Sequence, residues 1–348
     1  MQKIKRLFIT LTERCNMMCP HCWISAGPRR IDYNEITFSE ISDSIESLIS
    51  FGLERVKLTG GEPFLRKELC YDIIDLCHKL GIYVSLETNA SLFDENDYVR
   101  LKSSRNLDIG ISLDFPLKHD FDSFRHSDGA YNKVMECLDE LTENLKITVA
   151  MAVFQRNLPF MEEIADIIVG KNGVVRYLLC MNIGRATQEI SSDFLSPSEV
   201  LLFYKKIHQI CTKYPNRVSS IIPWAFNNLS STLKFGKCGV EENIGLLPDG
   251  TISFCGIGLS NEKARLGNIR SQKLTEIVEG SELMNQLCHL SEGGYVGICN
   301  KCFFKYVCGN LCPANVCETY GDFSHSFPVC QKLYEEGLFP KEFIVKES

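Results

Sequence analysis

The chain has 348 residues, of which 45% are hydrophobic and 23% charged, and these proportions exclude a disordered or fibrous protein. Its net charge of −7 disfavours general binding to a phosphate backbone, so no nucleic-acid partner is expected. The apolar run Leu7–Ile9 is too short for a signal peptide, and no run reaches the roughly 18 residues of a membrane span. We therefore expect a soluble, cytoplasmic protein without a membrane partner.

Strand and helix patterns alternate through residues 1–215, which are predicted to form the first domain. Six apolar, β-rich runs are predicted as strands: Leu7–Leu11, Arg55–Thr59, Tyr83–Glu87, Leu107–Leu113, Ile147–Val153 and Val174–Met181. Helical patterns lie between and after them at 38–51, 66–80, 94–104, 130–143, 157–170 and 197–213. Parallel strands need crossovers, which the helices supply, and six units are fewer than the eight of a closed barrel. The sequence predicts an α/β fold built on a partial (β/α)6 TIM-like barrel.

The pattern changes after the last of these helices, where a linker over 216–235 and a small Cys-rich domain over 236–348 are predicted. A hairpin is predicted to turn at Asp249–Gly250, and a helical pattern covers 272–290. No clear periodicity follows over 293–330. We expect bound metal to stabilise this segment, because small modules need a metal site or another crosslink when their hydrophobic core is insufficient.

Cysteine is unusually frequent, with 17 residues in the chain. An odd number without an export signal disfavours a disulfide framework, and dense cysteine in a reducing compartment more often binds metal. Seven of the cysteines lie between Cys288 and Cys330. Five others fall within helix or strand patterns, where a thiol packs as a small apolar side chain: Cys70, Cys77, Cys137, Cys180 and Cys211.

Three cysteines, Cys15, Cys19 and Cys22, lie in one loop after the first strand. Three thiolates at this spacing can hold three irons of a [4Fe–4S] cluster and leave the fourth iron open to a ligand. The alternative is a structural zinc site, either completed by His21 or lacking a nearby fourth ligand. The loop resembles the CxxxCxxC motif of radical S-adenosylmethionine (SAM) enzymes. The resemblance implies that the open iron binds SAM and that an electron from the cluster cleaves SAM to methionine and a hydrogen-abstracting 5′-deoxyadenosyl radical.

Further motifs at the strand ends extend this resemblance. Gly60, Gly61 and Glu62 follow the second strand and resemble the family's GGEP motif. The glycines allow close approach of the backbone to a zwitterionic ligand, and Glu62 can accept from an ammonium group, although a plain turn is the alternative for the glycine pair. Asn89 closes the third strand. The resemblance implies that Gly60, Gly61, Glu62 and Asn89 contact SAM.

Ser112 ends the fourth strand and, with Arg125, resembles the family's SLDG…HD…R stretch, in which Phe115 here replaces the glycine. Ser112 is expected to hydrogen-bond a ribose hydroxyl or a carboxylate, and Arg125 to pair with the SAM carboxylate. His21 occupies the position of an aromatic residue beside the adenine in many relatives, and it either stacks there or caps the loop. Ile183 either contacts the adenine or belongs to an ordinary turn after the sixth strand.

A second cysteine array resembles the seven-cysteine motif of the SPASM extension found on peptide-modifying radical SAM enzymes. The resemblance implies two auxiliary [4Fe–4S] clusters, and therefore three clusters in the chain. Four cysteines would ligate the outer auxiliary cluster: Cys299, Cys302, Cys308 and Cys330. Three would ligate the inner one: Cys238, Cys255 and Cys312.

The inner cluster lacks a cysteine that some relatives supply, since Ile244 stands at that position. The cluster is therefore either open to a ligand or closed by another residue. Cys317, five residues after Cys312, is the first candidate for closing it, and Cys288 is the second. For both cysteines the alternative is an unligated thiol.

The resemblance implies an enzyme that modifies a ribosomal peptide or protein by C–H activation, forming a crosslink or oxidising a side chain. A maturase of a small haem-like or aminoglycoside precursor is the alternative, and an iron–sulfur electron-transfer or zinc-binding protein is the non-enzymatic one. Expected partners are the substrate, with or without a separate recognition protein, and a reductant such as flavodoxin or ferredoxin. Sulfatase-maturating relatives have an acidic base where this chain has Gly256, which disfavours that reaction.

Overall fold

The computed structural model describes residues 3–29, 31–227, 238–290 and 294–345. Within them, ten strands form one sheet: β1 (Arg6–Thr10), β2 (Arg55–Thr59), β3 (Tyr83–Thr88), β4 (Leu107–Ser112), β5 (Lys146–Val153), β6 (Val174–Leu179), β7 (Val218–Ser220), β8 (Asn243–Leu246), β9 (Thr251–Ser253) and β10 (Arg265–Asn268). The strand order is β10-β9-β8-β1-β2-β3-β4-β5-β6-β7, so β10 and β7 are the two edges of an open sheet. Strands β1 to β6 pair in parallel with their sequence neighbours, which confirms the predicted partial barrel.

Helices connect the parallel strands. The barrel part contains α1 (Phe38–Ile49), α2 (Lys67–Lys79), α3 (Glu95–Lys102), α4 (Lys118–Arg125), α5 (Ala130–Leu141), α6 (Met161–Gly170), α7 (Ala186–Glu189) and α8 (Pro197–Lys213). The Cys-rich part contains α9 (Leu274–Glu279), α10 (Glu282–Leu290), α11 (Ile298–Lys301), α12 (Lys305–Cys308), α13 (Pro313–Tyr320) and α14 (Pro328–Glu335). Helix α1 begins at a capping box, in which Thr37 N donates to Glu40 Oε2 (2.8 Å) and Glu40 N donates to Thr37 Oγ1 (3.3 Å).

Alternate residues on the barrel strands face opposite sides of the sheet. On the outer side, Leu58, Leu86 and Ile109 are fully buried in the hydrophobic core. On the inner side, Lys57 and Glu87 line a cavity. The polar inner face and the loops at the carboxyl ends of the strands therefore define where ligands can bind.

Several helices differ from the prediction, among them α7 and the short helices α11 to α14, for which no pattern was expected. The pattern over 272–290 forms two helices, because α9 ends at Glu279 before Gly280, and Ser281 Oγ accepts from Met284 N (3.1 Å) to begin α10. Helix α4 was not predicted, since only two apolar residues, Phe121 and Phe124, mark its buried face.

The Cys-rich part is joined to the barrel sheet. Strand β8 pairs in parallel with β1 and turns back through the predicted hairpin at Asp249–Gly250 to pair with β9. Strand β7 lies within the predicted linker 216–235, of which residues 228–235 lie outside the described residues. The domain boundaries after residues 215 and 235 stay predictions. In the described ranges, no helix is long and apolar enough to cross a membrane.

Candidate active site

A cavity of about 630 Å³ opens at the carboxyl ends of the barrel strands. Nine of the predicted site residues line it: Cys15, Cys19, His21, Cys22, Gly60, Gly61, Asn89, Ser112 and Arg125. Two others, Glu62 and Ile183, are buried and do not line the cavity. The fold thus brings together residues from the loops that follow β1, β2, β3 and β4.

The cysteine loop after β1 is held by backbone amides that donate to its sulfur atoms. Met17 N donates to Cys15 Sγ (3.4 Å), and Ala26 N donates to Cys22 Sγ (3.3 Å). Burial raises the pKa of Cys15 to about 12, so this thiol is neutral until a metal replaces its proton. Three thiols on one cavity wall fit the ligand set of a [4Fe–4S] cluster with one open iron.

Arg185, which the sequence did not single out as a site residue, fixes the cysteine loop. Its Nη1 donates to Cys19 O (2.8 Å), and its Nη2 donates to Ser25 O (3.1 Å) and Ala26 O (2.5 Å). Its backbone N donates to Cys22 O (3.0 Å). The turn after β6 therefore holds the loop after β1 through four hydrogen bonds from a single residue.

We expect Arg185→Met to accelerate iron loss from the cysteine loop by about tenfold or more, because each lost bond from a charged donor contributes about 1.5–3 kcal/mol. The measurement is iron release to a chelator from anaerobically reconstituted protein. Arg217→Met is the matched control, since Arg217 donates to Asn172 O and does not line the cavity. Equal iron release by the two variants would contradict this role.

The glycine pair after β2 lets the backbone pass close to the first loop. A Cβ on Gly61 would overlap the Arg14 carbonyl, and one on Gly60 would lie 2.7 Å from Thr12 O. Any side chain at Gly61 would therefore push the two loops apart. The pair does more than form a turn, since it allows the loops that follow β1 and β2 to approach each other closely.

Glu62 is fully buried, and both of its carboxylate oxygens accept hydrogen bonds. Oε1 accepts from Thr88 Oγ1 (2.7 Å) and Phe64 N (3.0 Å), and Oε2 accepts from Asn89 N (2.8 Å). Asn89 Nδ2 in turn donates to Asn16 Oδ1 (2.9 Å) in the cysteine loop. Glu62 thus fixes the turn that supports the loop, and its contact with an ammonium group stays a prediction.

Arg125 forms a buried ion pair with Asp114. Arg125 Nε (2.9 Å) and Nη2 (2.6 Å) both donate to Asp114 Oδ2, and the two side chains are 6% and 1% exposed. Burial lowers the pKa of Arg125, but the adjacent carboxylate has the larger effect and raises the pKa overall, so the guanidinium is charged. Asp114 Oδ1 also accepts from Ala152 N (3.2 Å), which ties the pair to β5. Asp114 orients the guanidinium at the cavity wall, and the pairing of Arg125 with SAM stays a prediction.

His21 stacks on Phe124, with ring centroids 5.0 Å apart and an interplanar angle of 12°. Burial lowers the pKa of His21 to about 4, so the ring is neutral near pH 7. Within the described ranges, no three His, Cys, Asp or Glu side chains converge on a single metal ion, whereas a [4Fe–4S] cluster takes one thiolate on each of several irons. The ring lies against the cavity wall, and its contact with an adenine stays a prediction.

The turn after β6 packs tightly on the cysteine loop. Gly184 has φ +64°, and a Cβ there would overlap the Trp23 carbonyl. Ile183 is 1% exposed and does not reach the cavity. This geometry favours an ordinary turn over an adenine contact for Ile183. Ser112, at the end of β4, does line the cavity.

Four cysteines of the C-terminal array line one small apolar pocket: Cys299, Cys302, Cys308 and Cys330. Ile298, Phe327 and Phe339 also line this pocket and belong to a small second core. These are the four cysteines predicted for the outer auxiliary cluster. Four thiols around one apolar pocket fit a fully ligated [4Fe–4S] cluster, and their ligation stays a prediction.

The three inner cysteines form a separate group. Burial raises the pKa of Cys255, and the neighbouring Cys238 and Cys312 raise it further. Cys317 lies on α13, where its sulfur accepts from Asn261 Nδ2 (3.5 Å). The structure thus groups Cys238, Cys255 and Cys312 and places Cys317 in a contact with Asn261. The role of Cys317 as a fourth ligand stays a prediction.

Gly256 follows Cys255 and packs against Trp23, a residue of the cavity wall. A Cβ on Gly256 would lie 2.6 Å from the indole ring. The indole therefore fills the space that an acidic side chain would need at this position. This contact gives a physical reason for the glycine.

Comparisons with known families agree with this geometry. Residues 9–168 match the family model of the Radical SAM superfamily, and residues 238–312 match that of SPASM, an iron–sulfur cluster-binding domain. Together the two matches cover more than half of the chain. The first contains the cysteine loop and the cavity residues up to Arg125, and the second begins at Cys238 and ends at Cys312.

The chain is similar to several curated proteins and solved structures. An AdoMet-dependent heme synthase of Methanosarcina barkeri is 25% identical over 94% of this chain and 95% of its own length. A GTP 3′,8-cyclase of Synechocystis is 28% identical over 73% of this chain and 74% of its own length. Streptococcus suis SuiB bound to S-adenosylmethionine superposes with a TM-score of 0.76, at 15% identity over 95% of this chain and 78% of SuiB. Native anSMEcpe with bound AdoMet and Cp18Cys peptide gives a TM-score of 0.70, at 19% identity over 96% and 95% of the two chains.

Proposed function

The chain belongs to the radical SAM superfamily and carries a SPASM domain, and on that basis we propose that it modifies a ribosomal peptide or protein by C–H activation. The observation that carries the radical SAM chemistry of this proposal is the three-cysteine loop on the wall of a cavity open at the strand ends. A [4Fe–4S] cluster held there would supply the electron that cleaves SAM to methionine and a 5′-deoxyadenosyl radical. The product we propose is a crosslink or an oxidised side chain.

The residues of the chain hold and orient the reactants. Cys15, Cys19 and Cys22 would hold the SAM-binding cluster, and the two C-terminal cysteine groups would hold two auxiliary clusters, three clusters in all. Asn89 and Arg185 fix the cysteine loop from two sides. Ser112 and Arg125 present a hydroxyl and a guanidinium to the cavity, where they suit the ribose and carboxylate of SAM. We further propose a flavodoxin- or ferredoxin-type reductant.

Two observations support a peptide substrate. The cavity opens at the strand ends, and its wall at β7 is an edge strand of the sheet. Two of the structures with the same fold have titles that name bound peptides: SuiB with the precursor peptide SuiA, and anSMEcpe with the Cp18Cys peptide. The fold is therefore compatible with peptide entry into the barrel.

A small haem-like substrate is the second candidate. The observation that favours it is the set of AdoMet-dependent heme synthases from three organisms that are 24–25% identical to the chain over 92–94% of its length. The same cavity and cysteine groups would serve that reaction, so the two candidates differ only in the ligand that enters beside SAM.

The first experiment asks whether anaerobically reconstituted protein, with dithionite and SAM, forms 5′-deoxyadenosine. The second adds synthetic peptides encoded near the gene, or a tetrapyrrole precursor, and measures mass change and deuterium transfer to 5′-deoxyadenosine. A peptide whose mass changes supports the proposal. Conversion of the tetrapyrrole alone would establish the second candidate, and absence of SAM cleavage would refute both.

A further inference from the structure

A group of charged side chains lies on the inner wall of the cavity and has no role in the proposed binding of SAM. Lys57 comes from β2, Glu87 from β3 and Arg176 from β6, and all three line the cavity. Lys57 Nζ lies 2.8 Å from Glu87 Oε1, and Arg176 Nη1 lies 3.9 Å from the same oxygen. Two cations share one carboxylate, so the group has a net charge of +1.

Glu87 lies closer to one of the two cations. Its carboxylate lies over Gly110 of β4, in the space that a Cβ at that position would fill. Burial raises the pKa of Glu87, but Lys57 at 2.8 Å and, more weakly, Arg176 at 3.9 Å keep it below its usual range, so the carboxylate is ionised. The charge of Lys57 is therefore neutralised, and the unbalanced positive charge is that of Arg176.

The guanidinium of Arg176 is oriented and yet accessible. Its Nε donates to Ser219 Oγ (3.4 Å) on β7, and its side chain is 40% exposed. In the described part of the chain, the Nη groups have no acceptor within hydrogen-bond distance, because the Glu87 oxygen at 3.9 Å is too far. Leu178 and Ile221 line the same wall and are 38% and 49% exposed. Among the described residues, the Nη donors of Arg176 are thus without an acceptor on a partly apolar wall of the cavity.

We infer that Arg176, assisted by Ser219, is a substrate-specificity subsite that binds a carboxylate, and that in the proposed function this carboxylate is an acidic side chain of the peptide. A guanidinium fork matches a carboxylate through two parallel hydrogen bonds. A single unbalanced positive charge matches a carboxylate better than a phosphate, whose second negative charge would face Glu87. The inference rests on the proposed function for the identity of the ligand, since the propionates of a tetrapyrrole have the same chemistry.

The test uses the reconstituted holoenzyme with SAM and two matched pools of short labelled peptides. The pools are identical except that one position carries Glu in the first and Gln in the second. We expect the Glu pool to bind about tenfold more tightly or better, since a charged bidentate pair replaces a neutral contact. Arg176→Gln should reduce binding of the Glu pool to the level of the Gln pool, and Arg176→Lys should restore part of the preference.

Arg217→Gln is the matched control and should retain the full preference, since Arg217 donates to Asn172 O and does not line the cavity. A third ligand pair, coproporphyrin III and its methyl ester, separates the two sources of carboxylate. An Arg176-dependent preference for the porphyrin acid, without one for the Glu pool, would keep the subsite and refute the peptide substrate. Absence of any Arg176-dependent carboxylate preference in both ligand pairs would overturn the inference, even if SAM cleavage supports the radical SAM activity.

Discussion

Replacing Cys15, Cys19 and Cys22 together with alanine is expected to abolish formation of 5′-deoxyadenosine and to remove about four of about twelve irons per chain. The three thiols lie in one loop and line one cavity, so no other cysteine of that wall can take their place. The remaining irons should stay, because the two C-terminal cysteine groups are separate from this loop. The measurements are iron and sulfide content after anaerobic reconstitution and product formation with dithionite and SAM.

Cys77→Ala provides the matched control. Cys77 is fully buried on α2 and does not line the cavity, so its removal should leave both iron content and SAM cleavage unchanged. Residual 5′-deoxyadenosine in the triple variant would show that the loop is not the site of the SAM-binding cluster. Zinc instead of iron in the native protein would refute the assignment of iron–sulfur clusters.

Removing the carboxylate of Asp114 is expected to have the largest effect on stability. Asp114→Ala leaves the Arg125 guanidinium buried without its partner, and breaking a buried ion pair in this way costs about 3–5 kcal/mol. It also removes the acceptor for Ala152 N and releases the side chain that is proposed to meet the SAM carboxylate. Denaturant unfolding measures the free energy of unfolding. Binding of SAM to the reconstituted protein measures the effect on SAM affinity.

Asp139→Ala is the matched control for Asp114→Ala. Asp139 pairs with Lys171, but its side chain is 61% exposed, so this pair contributes at most about 1 kcal/mol. A similar loss of unfolding free energy in the two variants would contradict the importance of burial. If Asp114→Ala lowers stability but leaves SAM affinity intact, the pair supports the fold and Arg125 does not bind the SAM carboxylate.

The sequence by itself determined those features that depend on neighbours along the chain. The six barrel strands and six of the barrel helices follow from apolar periodicity, because a strand or helix must bury one face whatever its partner. The capping box of Thr37 and Glu40 and the hairpin at Asp249–Gly250 depend on residues a few positions apart. The cysteine loop is similarly local, since its spacing places three thiols on one short segment.

Only the tertiary structure decided the contacts between distant segments. Arg185 and Cys19 are 166 positions apart, and nothing in the sequence around Arg185 indicates a donor to the cysteine loop. The same holds for Arg176 of β6 on the inner wall, whose nearby carboxylate, Glu87, comes from β3. The contact of Cys317 with Asn261 depends likewise on packing between α13 and a remote turn. Periodicity reports which face of an element is buried, but the partner of a polar side chain is set by strand order and loop packing, which a one-dimensional pattern does not contain.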